Sequence, residues 1–173
     1  RSSDKATLHL APRPGSDGAL AMGIIRALIK RKAYDLDLVA NKVVGFSDLE
    51  QQLATCSLSW TARKTGLNQQ EINSFVDILA SSDPVHLANG NALEHHSNSF
   101  QTLRAVAILR ALCGGLGKPG GHRFLMPGIL EDMTLPKPQG LLPLGSDKYP
   151  LFSIMQDFVP GDSFLDCLLT QKP

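Results

Sequence analysis

Eight of the eleven prolines lie beyond Lys118. Proline has no amide hydrogen to give and fixes its own backbone, so a proline-rich stretch cannot sustain long helices or central strands. The run KPGGHRFLMPGILEDMTLPKPQGLLPLG therefore reads as extended chain. Residues 123–173 are expected as a Pro/Gly-rich region, with short helices at YPLFSIMQDF and DSFLDCLL. The earlier part holds only Pro12, Pro14 and Pro84, so long elements belong there. ATLHLAPRPG reads as a short strand, Ala6 to Leu10, stopped by Pro12 and Pro14. PVHLANG, residues 84–90, reads as a buried strand ending in a glycine turn.

Helical spacing fills the intervals. Leu20, Ile24 and Leu28, with Ala21 and Ile25, mark a helix from about Gly18 to Lys32. Lys30, Arg31 and Lys32 suit its C-terminal, negative end. YDLDLVANK and FSDLEQQL read as short helices, the second with Ser47 and Glu50 at capping-box spacing. LSWTARKTG reads as another, ending at Gly66. NQQEINSFVDILASS is capped by Asn68 with Glu71 three residues on, and Ile72, Phe75, Val76 and Leu79 form its apolar stripe. Ser99 to Leu112 is a strong helix. It is apolar on two faces (Leu103, Ala107, Leu109, Ala111, Leu112) and is expected at the centre, with Gly114 and Gly115 ending it. Strand, helix cluster, strand, helix suggests α/β layering in which two strands are too few for a closed sheet.

Composition narrows the class. With 43% hydrophobic and 19% charged residues among 173, the chain can bury a core. A formal net charge of +1 gives no strong field toward nucleic acid or membrane, and no apolar run reaches the roughly 18 residues of a span. Neither nucleic-acid binding nor direct membrane insertion is expected. Cys56, Cys113 and Cys167 are too dispersed for a disulfide framework or metal cluster and read as reduced, mostly buried thiols.

Few motifs carry chemistry. Gly115, Gly117 and Gly120 match G-x-G-x-x-G, but they follow a helix and enclose Pro119, so a helix end and tight turn is the better reading. Gly117-Lys118 also fails as a Walker A loop. No G-x-S-x-G elbow appears, and Cys113 at the end of an apolar helix is a poor nucleophile. In GNALEHHSNS, Asn91, Glu94, His95 and Asn98 are the right kinds of group to hydrogen-bond a large polar heterocycle. The same loop could be solvated, with Asn98 or Ser97 capping the helix; the adjacent His95 and His96 do not make a metal pair. In RPGSDGAL, Asp17 has two readings, helix cap or ligand.

Several segments in order resemble one family. LHLAPRPGSDGALAMGIIRALIKRKAYDLDLV, VGFSDLEQQL, SWTARKTGLNQQEINSFVDILA and GNALEHHSNSFQTLRAVAILRALCGGLGKPGG are similar to consecutive segments of the molybdopterin-guanine-dinucleotide oxidoreductases, the dimethyl sulfoxide reductase superfamily. The family includes formate dehydrogenases, thiosulfate and polysulfide reductases, nitrate reductases and an acetylene hydratase-like branch. The resemblance covers about residues 4–122. It implies an internal piece of a larger catalytic subunit, with helix-rich parts of Rossmann-like α/β cofactor domains and an incomplete sheet. Residues 1–83 would belong to the first domain and 84–122 to the second.

The resemblance also implies a bis-molybdopterin guanine dinucleotide cofactor holding molybdenum or tungsten. Pro14, Gly15, Ser16 and Asp17 would seat one guanine end. Asp17 would pair with the base, and Ser16, in place of the family's threonine, would serve the cap. Gly90, Asn91, Glu94, His95 and Asn98 would lie near the other cofactor, with Ala92 where a second glycine is common. A 4Fe–4S cluster and the metal ligand would lie in segments not contained here. In the full protein the implied activity is a two-electron redox reaction, or oxygen- or sulfur-atom transfer, on a small-molecule substrate. The implied partner is an electron-transfer iron–sulfur subunit. A non-catalytic scaffold that keeps the fold without cofactor is the competing class.

Overall fold

The computed structural model describes residues 3–123, 142, 145–148, 150 and 161–171. The chain divides into two compact units, residues 1–126 and 127–173.

The first unit is built around one helix. Helix α1, Asp17–Arg31, ends at Lys32, whose left-handed backbone turns its N–H back to the Ile29 and Leu28 carbonyls. Eight of its 15 residues are buried, including Ile24, Ile25 and Leu28, which makes α1 the central element. It packs against α4, Leu58–Thr65, against α5, Gln69–Ala80, and against α6, Ser99–Leu112. Helices α2, Leu36–Lys42, and α3, Phe46–Gln52, occupy the interval before α4. Leu53, Ile72, Val76, Leu79, Leu109 and Leu112 complete the core around α1.

Local chemistry explains most of the boundaries. Asn68 and Glu71 form the expected capping box at α5. Ser57 accepts from the Trp60 N–H to cap α4, and Gly66, at φ 76°, ends it. Asp35 caps α2 by accepting from the Leu38 N–H at 2.9 Å. The capping box expected from Ser47 and Glu50 is absent. Helix α3 already begins at Phe46, so Ser47 lies inside it, and the N-cap is Gly45, which has no side chain to cap with.

Two expectations about layering are corrected. Helix α6 has the expected limits but is not central. It buries Thr102, Ala105, Leu109 and Leu112, while Ala107 is exposed and Leu103 half-exposed, because among the described residues only α1 and a short 3-10 turn pack closely on it. No strand occurs among the described residues. The expected strand at Ala6–Leu10 shows the right alternation, with Leu8 and Leu10 half-buried and Thr7 and His9 exposed, but no segment among the described residues pairs with it in a ladder. The expected strand at 84–90 is extended coil with only Val85 buried. A lone bridge between Leu116 and His122 is the one β-type pairing among the described residues.

In the second unit, helix α7, Gly161–Thr170, covers the expected DSFLDCLL element. Lys148 pairs with Asp166 at 2.8 Å. The expected helix at YPLFSIMQDF lies, apart from Pro150, outside the described residues, as does most of the expected extended run before it.

Candidate functional site

The RPGS segment forms a tight turn. The Ser16 N–H donates to the Arg13 carbonyl at 3.1 Å, with Pro14 second and Gly15 third at φ 78°. That is the type II pattern, which needs a positive φ at its third residue and so suits Pro-Gly. The turn is anchored on the end of α4. The Arg13 N–H donates to the Thr65 carbonyl at 2.8 Å, and the Arg13 guanidinium donates to the Arg63 carbonyl at 3.3 Å.

Ser16 occupies the N-cap position of α1, but its side chain caps nothing. Its hydroxyl donates to the Arg13 carbonyl at 2.6 Å instead, closing the turn. Ser16 is therefore not the side-chain cap that was expected. Asp17 is the first residue of α1, half-buried, and its carboxylate has no hydrogen bond or ion pair among the described residues.

The second loop folds onto the start of α6. Its 3-10 turn, Asn91–Glu94, packs against that helix. Asn98 is the N-cap residue without a side-chain capping bond. His96 Nδ1 accepts from the Asn98 N–H at 3.3 Å, so the neutral ring carries its proton on Nε2. That Nε2 is buried and has no partner among the described residues.

Helices α1 and α6 run parallel. Gly18 of α1 meets Thr102 of α6 near their starts, and just past the end of α1 the Asp35 N–H donates to the Leu112 carbonyl at 2.9 Å. Both N-termini therefore sit at one end. Their unpaired amides and dipoles make that end attractive to negative charge. A cavity of about 420 Å³ opens there, lined by Gly15, Gly18, Trp60, Lys64, Asn98 and Arg104 among others. Lys64 and Arg104 have no ion-pair partner among the described residues.

The structure thus brings Gly15 and Asn98 to one cavity, with Pro14, Ser16 and Asp17 on the adjoining turn. Gly90, Asn91, Glu94 and His95 do not line it; they are exposed on the loop leading to α6. Trp60, Lys64 and Arg104 were not singled out in the sequence, and His96 was weighed there only as half of a metal pair. The i, i+4 spacing of Trp60 and Lys64 places both on one face of α4 and was the available signal.

The glycine cluster is structural. Gly114, Gly117 and Gly120 all have positive φ, and the turn follows α6 as its end. Lys118 pairs with Asp83 at 3.1 Å and lies 3.9 Å from Asp35, so it is engaged within the protein. Burial pushes the Cys113 thiol up to about 11, which keeps it protonated and unreactive. Among the described residues the three cysteines are free thiols: Cys56 is buried, Cys113 and Cys167 half-buried.

No family model matches the chain. Acetylene hydratase from Syntrophotalea acetylenica is 29% identical over 158 residues, covering 87% of this chain and 22% of that protein. A probable oxidoreductase, YoaE, from Bacillus subtilis is 29% identical over 123 residues, 70% of this chain and 18% of the relative. The solved structure of acetylene hydratase from Pelobacter acetylenicus superposes with a TM-score of 0.64 at 31% identity, over 66% of this chain and 16% of that one. The chain is homologous to acetylene hydratase and to proteins named as oxidoreductases, a nitrate reductase catalytic subunit and a probable dimethyl sulfoxide reductase chain among them. It spans about a fifth of the length of these curated relatives.

Proposed function

We propose that this segment grips the guanine dinucleotide ends of a bis-molybdopterin guanine dinucleotide cofactor in a molybdenum or tungsten enzyme. The single observation that carries the reading is the parallel pairing of α1 and α6, which presents two helix N-termini, Lys64 and Arg104 to one cavity. Diphosphate groups suit such an end. Asp17, uncommitted beside the turn, can accept from both N1–H and the exocyclic amine of guanine, a pairing adenine cannot match. The buried Nε2–H of His96 is a donor awaiting an acceptor, so the residues present fit a polar ligand. Pro14, Gly15 and Ser16 set the turn, and Gly90, Asn91, Glu94, His95 and Asn98 offer polar contacts toward the second dinucleotide.

When bound, the cofactor supplies the metal centre at which a two-electron redox step, or atom transfer, on a small substrate takes place. This chain's residues bind and orient; they move no proton in the reaction. Its likeness to acetylene hydratase over 87% of its length supports a second reading, in which the full enzyme adds water instead.

Metal and pterin analysis of the full-length protein tests the proposal. Stoichiometric pterin and molybdenum or tungsten support it. A folded full-length protein with neither supports the scaffold class and overturns it.

A further inference from the structure

The peptide unit of Leu87 is held from both sides. Its N–H donates to Nε2 of His122 at 2.8 Å, and its carbonyl accepts from Nε of Arg110 at 2.9 Å. Arg110 lies on α6 and also donates to the Asn89 side-chain carbonyl. His122 closes the glycine-rich turn after α6. Its N–H donates to the Gly115 carbonyl at 2.7 Å, and its own carbonyl accepts from the Gly117 N–H at 2.8 Å. The His86 ring stacks on the His122 ring at 4.3 Å between centroids, and His86 Nδ1 lies 3.2 Å from the Gly121 carbonyl as its donor. The chain therefore enters the 90–98 loop from a segment fastened both to α6 and to the turn that follows α6.

Side chains here replace the ladder that a strand would have had. One of them titrates. A neutral imidazole has one acceptor nitrogen, and His122 uses Nε2 in that role. Protonation would put a hydrogen on Nε2, facing the Leu87 N–H donor to donor. His86 keeps its bond in either state, because its Nδ1 donates in both. The groups facing His122 are His86 from the entering segment and Arg110 from α6. Desolvation, then these two neighbours, hold His122 below the ordinary imidazole value.

The geometry points to a pH-released clasp: neutral His122 and Arg110 together pin Leu87, and with it the entry to the 90–98 loop, and protonation of His122 lets that segment go. His122 and Arg110 are positioning residues, and neither has a part in the function proposed above. Only the consequence for cofactor retention rests on that proposal. The sign follows from linkage. The unfolded chain takes up the proton more readily than the folded one, so the clasp is at full strength above the ordinary imidazole pKa. It is lost as pH falls through the lower folded value.

Hydrogen exchange by mass spectrometry on the full-length protein tests it, using peptides across 84–90 and correcting for intrinsic rates. Between about pH 8 and a pH well below the ordinary imidazole value, wild-type protection should fall roughly tenfold, as expected for losing one hydrogen bond to a part-buried amide. His122→Gln supplies a carbonyl acceptor that does not titrate, so its protection should stay flat. His122→Phe keeps a ring for stacking but no acceptor, and should stay at the lowered protection throughout. His86→Leu should move the fall to higher pH. Flat protection in wild type, or an equal fall in His122→Gln, overturns the clasp. Pterin loss at low pH, measured in the same samples, should be faster in wild type than in His122→Gln. If exchange behaves as stated and pterin does not, the clasp stands and the cofactor role of the loop fails.

Discussion

A Cβ added to Gly18 would lie 3.0 Å from Oγ1 of Thr102, so the second residue of α1 sits directly against the first turn of α6. This contact sets how closely the two helix starts approach and hence the shape of the cavity beside Gly15 and Asn98. Gly18→Val would force branched atoms into the buried Thr102. It should cost about 1–3 kcal/mol in chemical denaturation and lower retained pterin in the full-length protein. Ile72→Val, deep in the core on α5, should cost about 1 kcal/mol and leave pterin per folded molecule unchanged.

The cap of α5 offers a cleaner stability measurement. The Asn68 side chain accepts from the Gln70 N–H at 2.9 Å, while Glu71 accepts from the Asn68 N–H at 3.0 Å. Asn68→Ala should destabilise by about 1 kcal/mol in urea. The Asn68→Ala/Glu71→Ala pair should lose less than the sum of its parts, since the two bonds form one unit.

Cys113 should resist alkylation. A thiol moved from 9.0 to about 11 has about a hundredfold less thiolate at mildly alkaline pH. Iodoacetamide labelling followed by mass spectrometry should show Cys113 reacting at least that much more slowly in the folded protein than in urea, where burial is lost.

The helical part was legible because its signals are local. Asn68 with Glu71, Gly66 and the Ser99 to Leu112 periodicity each mark an element within a few residues. The strands were not legible as such. Alternation at Thr7, Leu8, His9 and Leu10 states which side faces inward, but a strand also needs a partner, and sequence spacing does not say whether one is there. At Leu87 the partners are two side chains, from Arg110 and His122, 23 and 35 residues away. At the candidate site only the turn follows from local sequence, because Pro-Gly between Arg13 and Ser16 has few conformations open to it. His96 was passed over for His95, since only the fold shows which imidazole is buried with an orphaned donor.

The most direct test of the central claim compares the full-length wild-type protein with Asp17→Ala, measuring metal, pterin and the guanine nucleotide released on acid hydrolysis. Asp17 stands in the first turn of α1, so losing its charge should change stability by less than about 1 kcal/mol. Guanine nucleotide and metal per folded polypeptide should both fall in the variant. Unchanged cofactor content in a folded Asp17→Ala protein would contradict it.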